Sequence, residues 1–391
     1  MFENLFNLDS TKDMVIFFSI QLGGLFTPGG SDTGNPLMYI LWFAPIIILM
    51  MYGQKFQSWM ILSDVSKSLN KLRTMKDTAR KEAIDYIRTS IKPSHDPSSK
   101  IDKFLEYFTI MPVDLDPNGI MNKLNHLMRT RDERIRTEVK KLASIMTEAE
   151  ASRIENILEA ATALNMIYKV VRHFYLMGKR TTSMFVLVQL QMVMPLLLQE
   201  AEALQNAIGA FKKGQPIGDS IGPMVVGKMM INKEKKVIAK ETVYSEDEHM
   251  GRKLYLLKAE GPTGTVGRPG EAVQRLIVEL SLKIDAIITI DAALKLEGET
   301  TGAVAEGIGS AIGGIGVEKY QIEEIATKFS IPVYAIIVKE SVQDAITVMR
   351  KEICDSFDKV RDIVYTTIEE KTTERQSVLI IGVGNTVGVA Q

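Results

Sequence analysis

The longest break in the charge pattern lies between Asp32 and Lys55, where no charged residue occurs. Its apolar centre, residues 37–51, has the length of a transmembrane helix, in which Pro45 is tolerated. Tyr39, Trp42 and Tyr52 supply interfacial anchors near its ends. The weaker run at 14–26 is too short to span and contains Gly23 and Gly24, so it is expected at the interface or packed on the anchor. No small-x-small cleavage pattern follows the apolar core, which argues against a signal peptide.

Beyond the break the pattern becomes helical. Trp59, Leu62, Val65, Leu69 and Leu72 recur at three- and four-residue steps, predicting a basic amphipathic helix over 54–91. Such a helix can follow anionic headgroups, pair with another helix, or stand solvated as it leaves the membrane. Residues 92–99 and 113–119 read as loops. Asp114 and Asp116 in the second lack calcium-ligand spacing and suit a helix amino-cap. Residues 120–213 are helical throughout, with Arg129, Arg131, Arg134, Arg136, Lys140 and Lys141 balanced by Asp132, Glu133 and Glu138 on a solvated face. Residues 181–199 are again uncharged. Gln189, Gln191 and Gln199 interrupt them and Pro195 sits inside, which favours a buried helix of a bundle over a second span.

From about residue 214 glycine becomes frequent, and short β-rich runs alternate with helical ones, the pattern of an α/β domain. Strands are predicted at 236–242, 253–258, 286–290, 332–338 and 377–383, and helices at 222–230, 269–283, 317–329 and 341–371. The continuous apolar runs 286–290 and 333–338 predict central strands covered on both faces. The expected organisation is a membrane anchor (1–53), a helical cytoplasmic region (54–213) and an α/β domain (214–391).

Charge and composition refine this picture. Before the apolar span the basic residue is Lys12; after it come Lys55, Lys67, Lys71, Arg73, Lys76, Arg80 and Lys81. The positive-inside rule therefore puts the amino terminus outside the cell membrane and the bulk of the chain in the cytoplasm, with the lipid bilayer as partner. A net charge of −1 gives no case for nucleic acid as an electrostatic partner. The single cysteine, Cys354, excludes an intrachain disulfide and reads as a small buried hydrophobe within a helix. The four histidines are far apart in sequence, against a histidine-rich metal site.

Candidate chemistry centres on two aspartates. Asp219, within Gly218-Asp219-Ser220-Ile221-Gly222-Pro223, stands at a helix opening. Asp291 ends the apolar run 286–290, at the strand edge where open α/β sheets place their ligands. Each also has a plain reading, as a helix cap or as an acceptor for loop amides. Held close together, two carboxyls separate in pKa, so that one serves as acid and the other as base. They could equally hold a divalent metal, though two oxygens without a histidine would bind it weakly. Gly218, Gly313, Gly314 and Gly316 are candidate substrate contacts, because glycine lets the main chain approach a ligand. The glycine spacing fits neither a dinucleotide fold nor a Walker loop. Gly382-Val383-Gly384-Asn385 reads as a strand-end turn on the active-site rim, with Asn385 a further substrate contact.

The order of these motifs, with Ile290-Asp291-Ala292-Ala293, residues 306–319 and Pro332-Val333-Tyr334-Ala335-Ile336, resembles the spore germination protease superfamily, which includes the hydrogenase maturation endopeptidases. The resemblance covers about residues 215–350. It implies a phosphorylase/hydrolase-like α/β fold and places Asp219 and Asp291 at the two acidic positions needed for proteolysis. The metal-binding histidine of the hydrogenase enzymes has no counterpart. In that superfamily the Gly-x-Gly-Asn-like turn comes first; here it comes last, so the domain is expected to be circularly permuted, with Asn385 beside Asp219 and Asp291. The whole chain also resembles archaeal membrane proteins of unknown function. Two functions are therefore expected to compete. One is a membrane-anchored, aspartate-dependent endopeptidase or hydrolase acting on a protein substrate. The other is an inactive scaffold whose helical region drives homo-oligomer formation.

Overall fold

The last apolar run of the chain occupies the middle of the sheet. A computed structural model describes residues 36–93, 95–109, 119–142, 146–313 and 316–390. The chain divides into two compact units, residues 1–59 and 60–391. In the first, the described residues belong to the start of helix α1 (Pro36–Ile91). The run at 14–26 and the acidic loop at 113–118 lie outside the described residues.

The second unit holds both the helical region and the sheet. Its helices after α1 are α2 (Ser98–Leu105), α3 (Ile120–Lys140), α4 (Glu148–Thr181) and α5 (Met184–Lys213). Gly119, at φ 76°, is the amino-cap of α3. Thr147 and Glu150 start α4 with a reciprocal capping box, each side chain accepting from the other's backbone N–H. The α4–α5 pair buries Ile154, Ile157, Leu158 and Leu164 of α4 with Leu187, Leu190 and Met194 of α5. Helix α5 is only partly buried, however: Phe185, Met192 and Leu196 are exposed. Pro195 lies within it and Gly214, at φ 62°, terminates it.

The remaining elements are α6 (Ile221–Met229), β1 (Lys236–Ala239), β2 (Thr242–His249), β3 (Arg252–Ala259), α7 (Pro269–Gln274), β4 (Ala286–Leu294), β5 (Val304–Ile308), α8 (Val317–Lys328), β6 (Val333–Glu340), α9 (Val342–Ile346), α10 (Lys351–Asp355), α11 (Phe357–Lys371) and β7 (Ser377–Gly382). They form one seven-stranded mixed sheet in the order β1-β2-β3-β7-β4-β6-β5. Strands β3, β7, β4 and β6 are mutually parallel, and β1, β2 and β5 add antiparallel edges. Helices cover both faces, as a parallel sheet requires. Ile221, Val225 and Val226 of α6 and Val360 and Val364 of α11 pack on Ile288, Ile290 and Ile380. On the other face Val273 and Leu276 meet Ile322, Ile287, Leu379 and Ile381.

Several boundaries differ from the sequence expectation. The chain turns at Glu241 (φ 55°) and runs on as β2, so the single strand expected at 236–242 is a hairpin. Strand β5 was not anticipated; its largely exposed residues lie on the sheet edge and carry little hydrophobic signal. The helix expected over 341–371 is broken into α9, α10 and α11. The break arises where Val348 bridges Ile217 and Met349 N donates to Pro216 O (2.8 Å), tying this segment to the residues just before Asp219. Helix α7 runs into a π-helical turn (Arg275–Glu279) and stops short of residue 283. Cys354 is exposed near the end of α10, correcting the expectation of a buried thiol: its helix is short and turns that residue away from the core.

Candidate functional site

Asp219 lies in a 3-10 turn (Gly218–Ser220) that leads into α6. It makes no cap bond to that helix. Helix α6 starts directly on the carboxyl ends of two central strands, and only glycine permits the approach. A Cβ on Gly222 would collide with the carbonyl oxygens of Val383 and Ile290. The chain leaving β7 then curls over Asp219 through Gly384, whose φ of 128° and closeness to the Asp219 carbonyl both exclude a side chain. Asn385 N thereby donates to Asp219 Oδ2 at 2.7 Å. Just before it, Val383 N donates to Ile290 O at 2.8 Å, beside Asp291. The final turn therefore lies on the strand edge that carries both aspartates. The Asn385 side chain is not free for substrate: Nδ2 donates to Gly264 O (2.9 Å) and Oδ1 accepts from Val387 N (2.8 Å).

Asp291 occupies β4 opposite Ile337 of β6 and is buried. Oδ1 accepts from Ala292 N (2.7 Å) and Oδ2 from Gly313 N (3.2 Å). The loop before α8 is also held by Ala311 N, which donates to Thr289 Oγ1 (3.0 Å). Burial pushes the Asp291 carboxyl well above the usual carboxylate range, and the charge of Asp219 adds to the effect against the two amide bonds. Burial also raises Asp219, opposed by the Asn385 amide. The two carboxyls are thus electrostatically coupled, and burial raises both.

Of the other expected contacts, Gly218 packs against the Glu340 carboxyl, Gly313 binds Asp291 through its amide, and Gly316 is the left-handed amino-cap of α8. Gly314 lies outside the described residues.

Sequence reading missed Glu340, the last residue of β6. It is 1% exposed, and neither carboxyl oxygen has a hydrogen-bond partner among the described residues. Burial, then the charges of Asp219, Asp344 and Asp291, push it up to about 8. Its available signal was positional: it ends a strand parallel to β4 and adjacent to it, on the same edge as Asp291. In the sequence it follows Lys339 and reads as an ordinary polar strand end.

Among the described residues no group of three or more His, Cys, Asp or Glu side chains is placed to hold an ion. A polar cleft of about 320 Å³ reaches Asn385 between α3, α4, the β1–β2 turn and the loop after β3; Arg136, Glu155, Glu241, Gly264 and Arg268 line it. Another cavity, of about 300 Å³, is lined by Phe104, Tyr107, Arg134 and Leu158 and meets the cleft at Ile135.

The fold, with a helical region followed by a mixed-sheet α/β domain, divides the chain near residue 215. Residues 39–214 match the protein of unknown function (DUF1512) N-terminal domain, and residues 217–390 match the C-terminal domain of unknown function (DUF1512). The chain therefore belongs to the DUF1512 family. A comparison with curated proteins found no match.

Proposed function

We propose that this chain is a membrane-anchored hydrolase of amide bonds whose α/β domain uses Asp219 and Asp291 as an acid–base pair. The observation that carries this reading is the meeting of Asp219 with the Asn385 amide at 2.7 Å, over a strand edge that also bears Asp291. It supports the permuted hydrolase-like arrangement expected from the order of the motifs. Asp219, whose charge acts on Asp291, is the ionised member and takes a proton from water as the water oxygen bonds to the amide carbon. Asp291, buried and neutral, gives its proton to the departing nitrogen as the C–N bond breaks. Proton transfer from Asp219 back to Asp291 restores the pair. Residues 37–51 are the anchor, with the amino terminus outside and a cytoplasmic protein segment as substrate; nucleic acid has no role.

A second reading has its own support. Each aspartate accepts from backbone amides, as a structural carboxylate would, and α5 exposes Phe185, Met192 and Leu196 on a helix apolar enough to cross a membrane. A homo-oligomeric scaffold would use that surface.

The test incubates the full chain, in liposomes, with unfolded protein substrates and identifies new amino termini by mass spectrometry. Asp219→Asn and Asp291→Asn are each expected to slow cleavage by about 100-fold or more. Cleavage that both variants retain, or no cleavage beside a defined oligomer in light scattering, would leave the scaffold reading in possession.

A further inference from the structure

The site contains a buried group that the two-aspartate scheme does not use. Glu340 has no hydrogen-bond partner among the described residues, although it is 1% exposed. A buried carboxylate without partners is among the costlier arrangements a protein can keep. Its position is also defended by the backbone. A Cβ on Gly218 would overlap Glu340 Oε2 and the Asp344 carbonyl, so glycine there leaves the carboxyl room immediately beside Asp219.

The charges facing it are acidic: Asp219 from the 3-10 turn, Asp344 from α9 and Asp291 from β4. Nearby cations are engaged elsewhere. Arg350 lies 3.5 Å from Asp344 and bonds Glu352, Lys339 pairs with Glu299, and Lys295 Nζ donates to the Glu299 carbonyl. An ionised Glu340 would be a further buried negative charge with no counter-ion, whereas a protonated one leaves one O–H donor and its acceptor oxygens for water or a bound amide. A cavity of about 350 Å³ lined by Glu202, Asn206, Gln343 and Thr347 reaches Asp344.

We propose that Glu340 is a positioning residue of the site: a neutral acid beside Gly218 that leaves Asp219 as the single carboxylate to which water and a substrate amide are presented. This assignment of a role rests on the hydrolase reading. The proton on Glu340 is tested without any substrate.

The measurement is thermal unfolding of the full chain in mild detergent, across about pH 4.5 to pH 9, for wild type, Glu340→Gln, Asp219→Asn and the double variant. Folding raises the Glu340 carboxyl from its usual value of 4.5 to about 8. Its contribution is therefore fully present below about pH 4.5 and is lost as pH rises toward 8. Glu340→Gln, which cannot ionise, is expected to match wild type at the acid end and to melt higher by about 3 °C or more near pH 8. Because Asp219 is one of the charges that hold the proton, that gain is expected to shrink in the Asp219→Asn background. A Glu340→Gln that melts lower at every pH, or a gain unchanged by Asp219→Asn, overturns the proposal. If Glu340→Gln does not fold, infrared spectra of wild type and Glu340→Asp are compared: a protonated-carboxyl band that disappears between neutral and alkaline pH and shifts in the variant supports it, and a band unmoved by the variant overturns it. A chain with these profiles that cuts no peptide keeps the proton on Glu340 and loses only the hydrolase reading.

Discussion

The helical surface and the sheet edge that carries the candidate site handle their charges in opposite ways. On the helical surface, several carboxyls sit in ion pairs. Asp102 bonds Arg80, Glu106 bonds Lys169, and Glu148 bonds Lys140 and Arg136; each is held below the usual carboxylate range by these cations. At the sheet edge Asp219, Asp291 and Glu340 are raised by burial and by one another. Asp132, Glu155 and Glu159, which share the polar cleft, are raised by burial and mark the border; Glu155 shows it best. It belongs to α4, yet where it faces the polar cleft burial raises it to about 7. Desolvation sets the sign of the shift, and the fold decides which carboxyls meet it.

The largest expected effects test whether these regions form one cooperative unit. Ile154→Ala in the helical core and Ile380→Ala in β7 each remove side-chain atoms from a site with no solvent exposure. Each is expected to destabilise by about 2–5 kcal/mol in chemical denaturation. Because both regions lie in one compact unit, the two substitutions should move a single transition. Two separate transitions, each sensitive to one substitution, would break the comparison into two independent domains.

Gly222→Ala comes next. Its Cβ has no place between the carbonyls of Val383 and Ile290, so a loss of about 1–3 kcal/mol is expected in the same measurement. A neutral result would mean that α6 does not sit tightly on the strand ends, and the Asp219 geometry would fall with it.

Glu155→Gln sharpens the border. A carboxyl raised to about 7 contributes fully below its usual 4.5 and loses that contribution as pH climbs through 7. The variant should therefore match wild type in acid and gain up to about 1 kcal/mol near pH 8, less than full burial would allow because the group is partly solvated. A loss at neutral pH would show that Glu155 acts as a partner of Arg136 instead.

The smallest effect is on the surface. Glu148 is lowered to about 2 and its side chain is 55% exposed. Its contribution is present above its usual 4.5 and lost as pH falls toward 2. Glu148→Gln should lose less than about 0.5 kcal/mol at neutral pH, and salt should shrink the difference further. An effect several times larger, insensitive to salt, would place this pair in a desolvated network.

Much of the fold was legible because apolar periodicity survives in long or fully buried elements. The runs that became β4, β6 and β7 were marked by their apolar residues, and the later part of α1 by three- and four-residue steps; α3, α4 and α5 were legible as one helical stretch. Strand β5 was not marked, since an edge strand exposes most of its side chains. Nor was the break after α9, which a backbone bridge between Val348 and Ile217 creates against the local helical pattern. For α5 the apolar composition was plain, but which side would be covered was not: Leu187 and Met194 are buried while Phe185 and Met192 are exposed.

At the candidate site, the residue types and their glycines were written in the sequence: Asp219 at a turn into a helix, Asp291 at the end of a buried run, and Gly384-Asn385 at the close of the last one. Such features are local, set by backbone freedom and by side-chain burial along a single segment. The placement of the final strand between β3 and β4, the 2.7 Å contact of Asn385 N with Asp219, and the action of both aspartates' charges on Glu340 join residues far apart in the chain. Only the tertiary structure decided these, because burial and charge repulsion at a strand edge depend on which segments the fold brings there, and Glu340 differs from a surface glutamate in nothing but its neighbours.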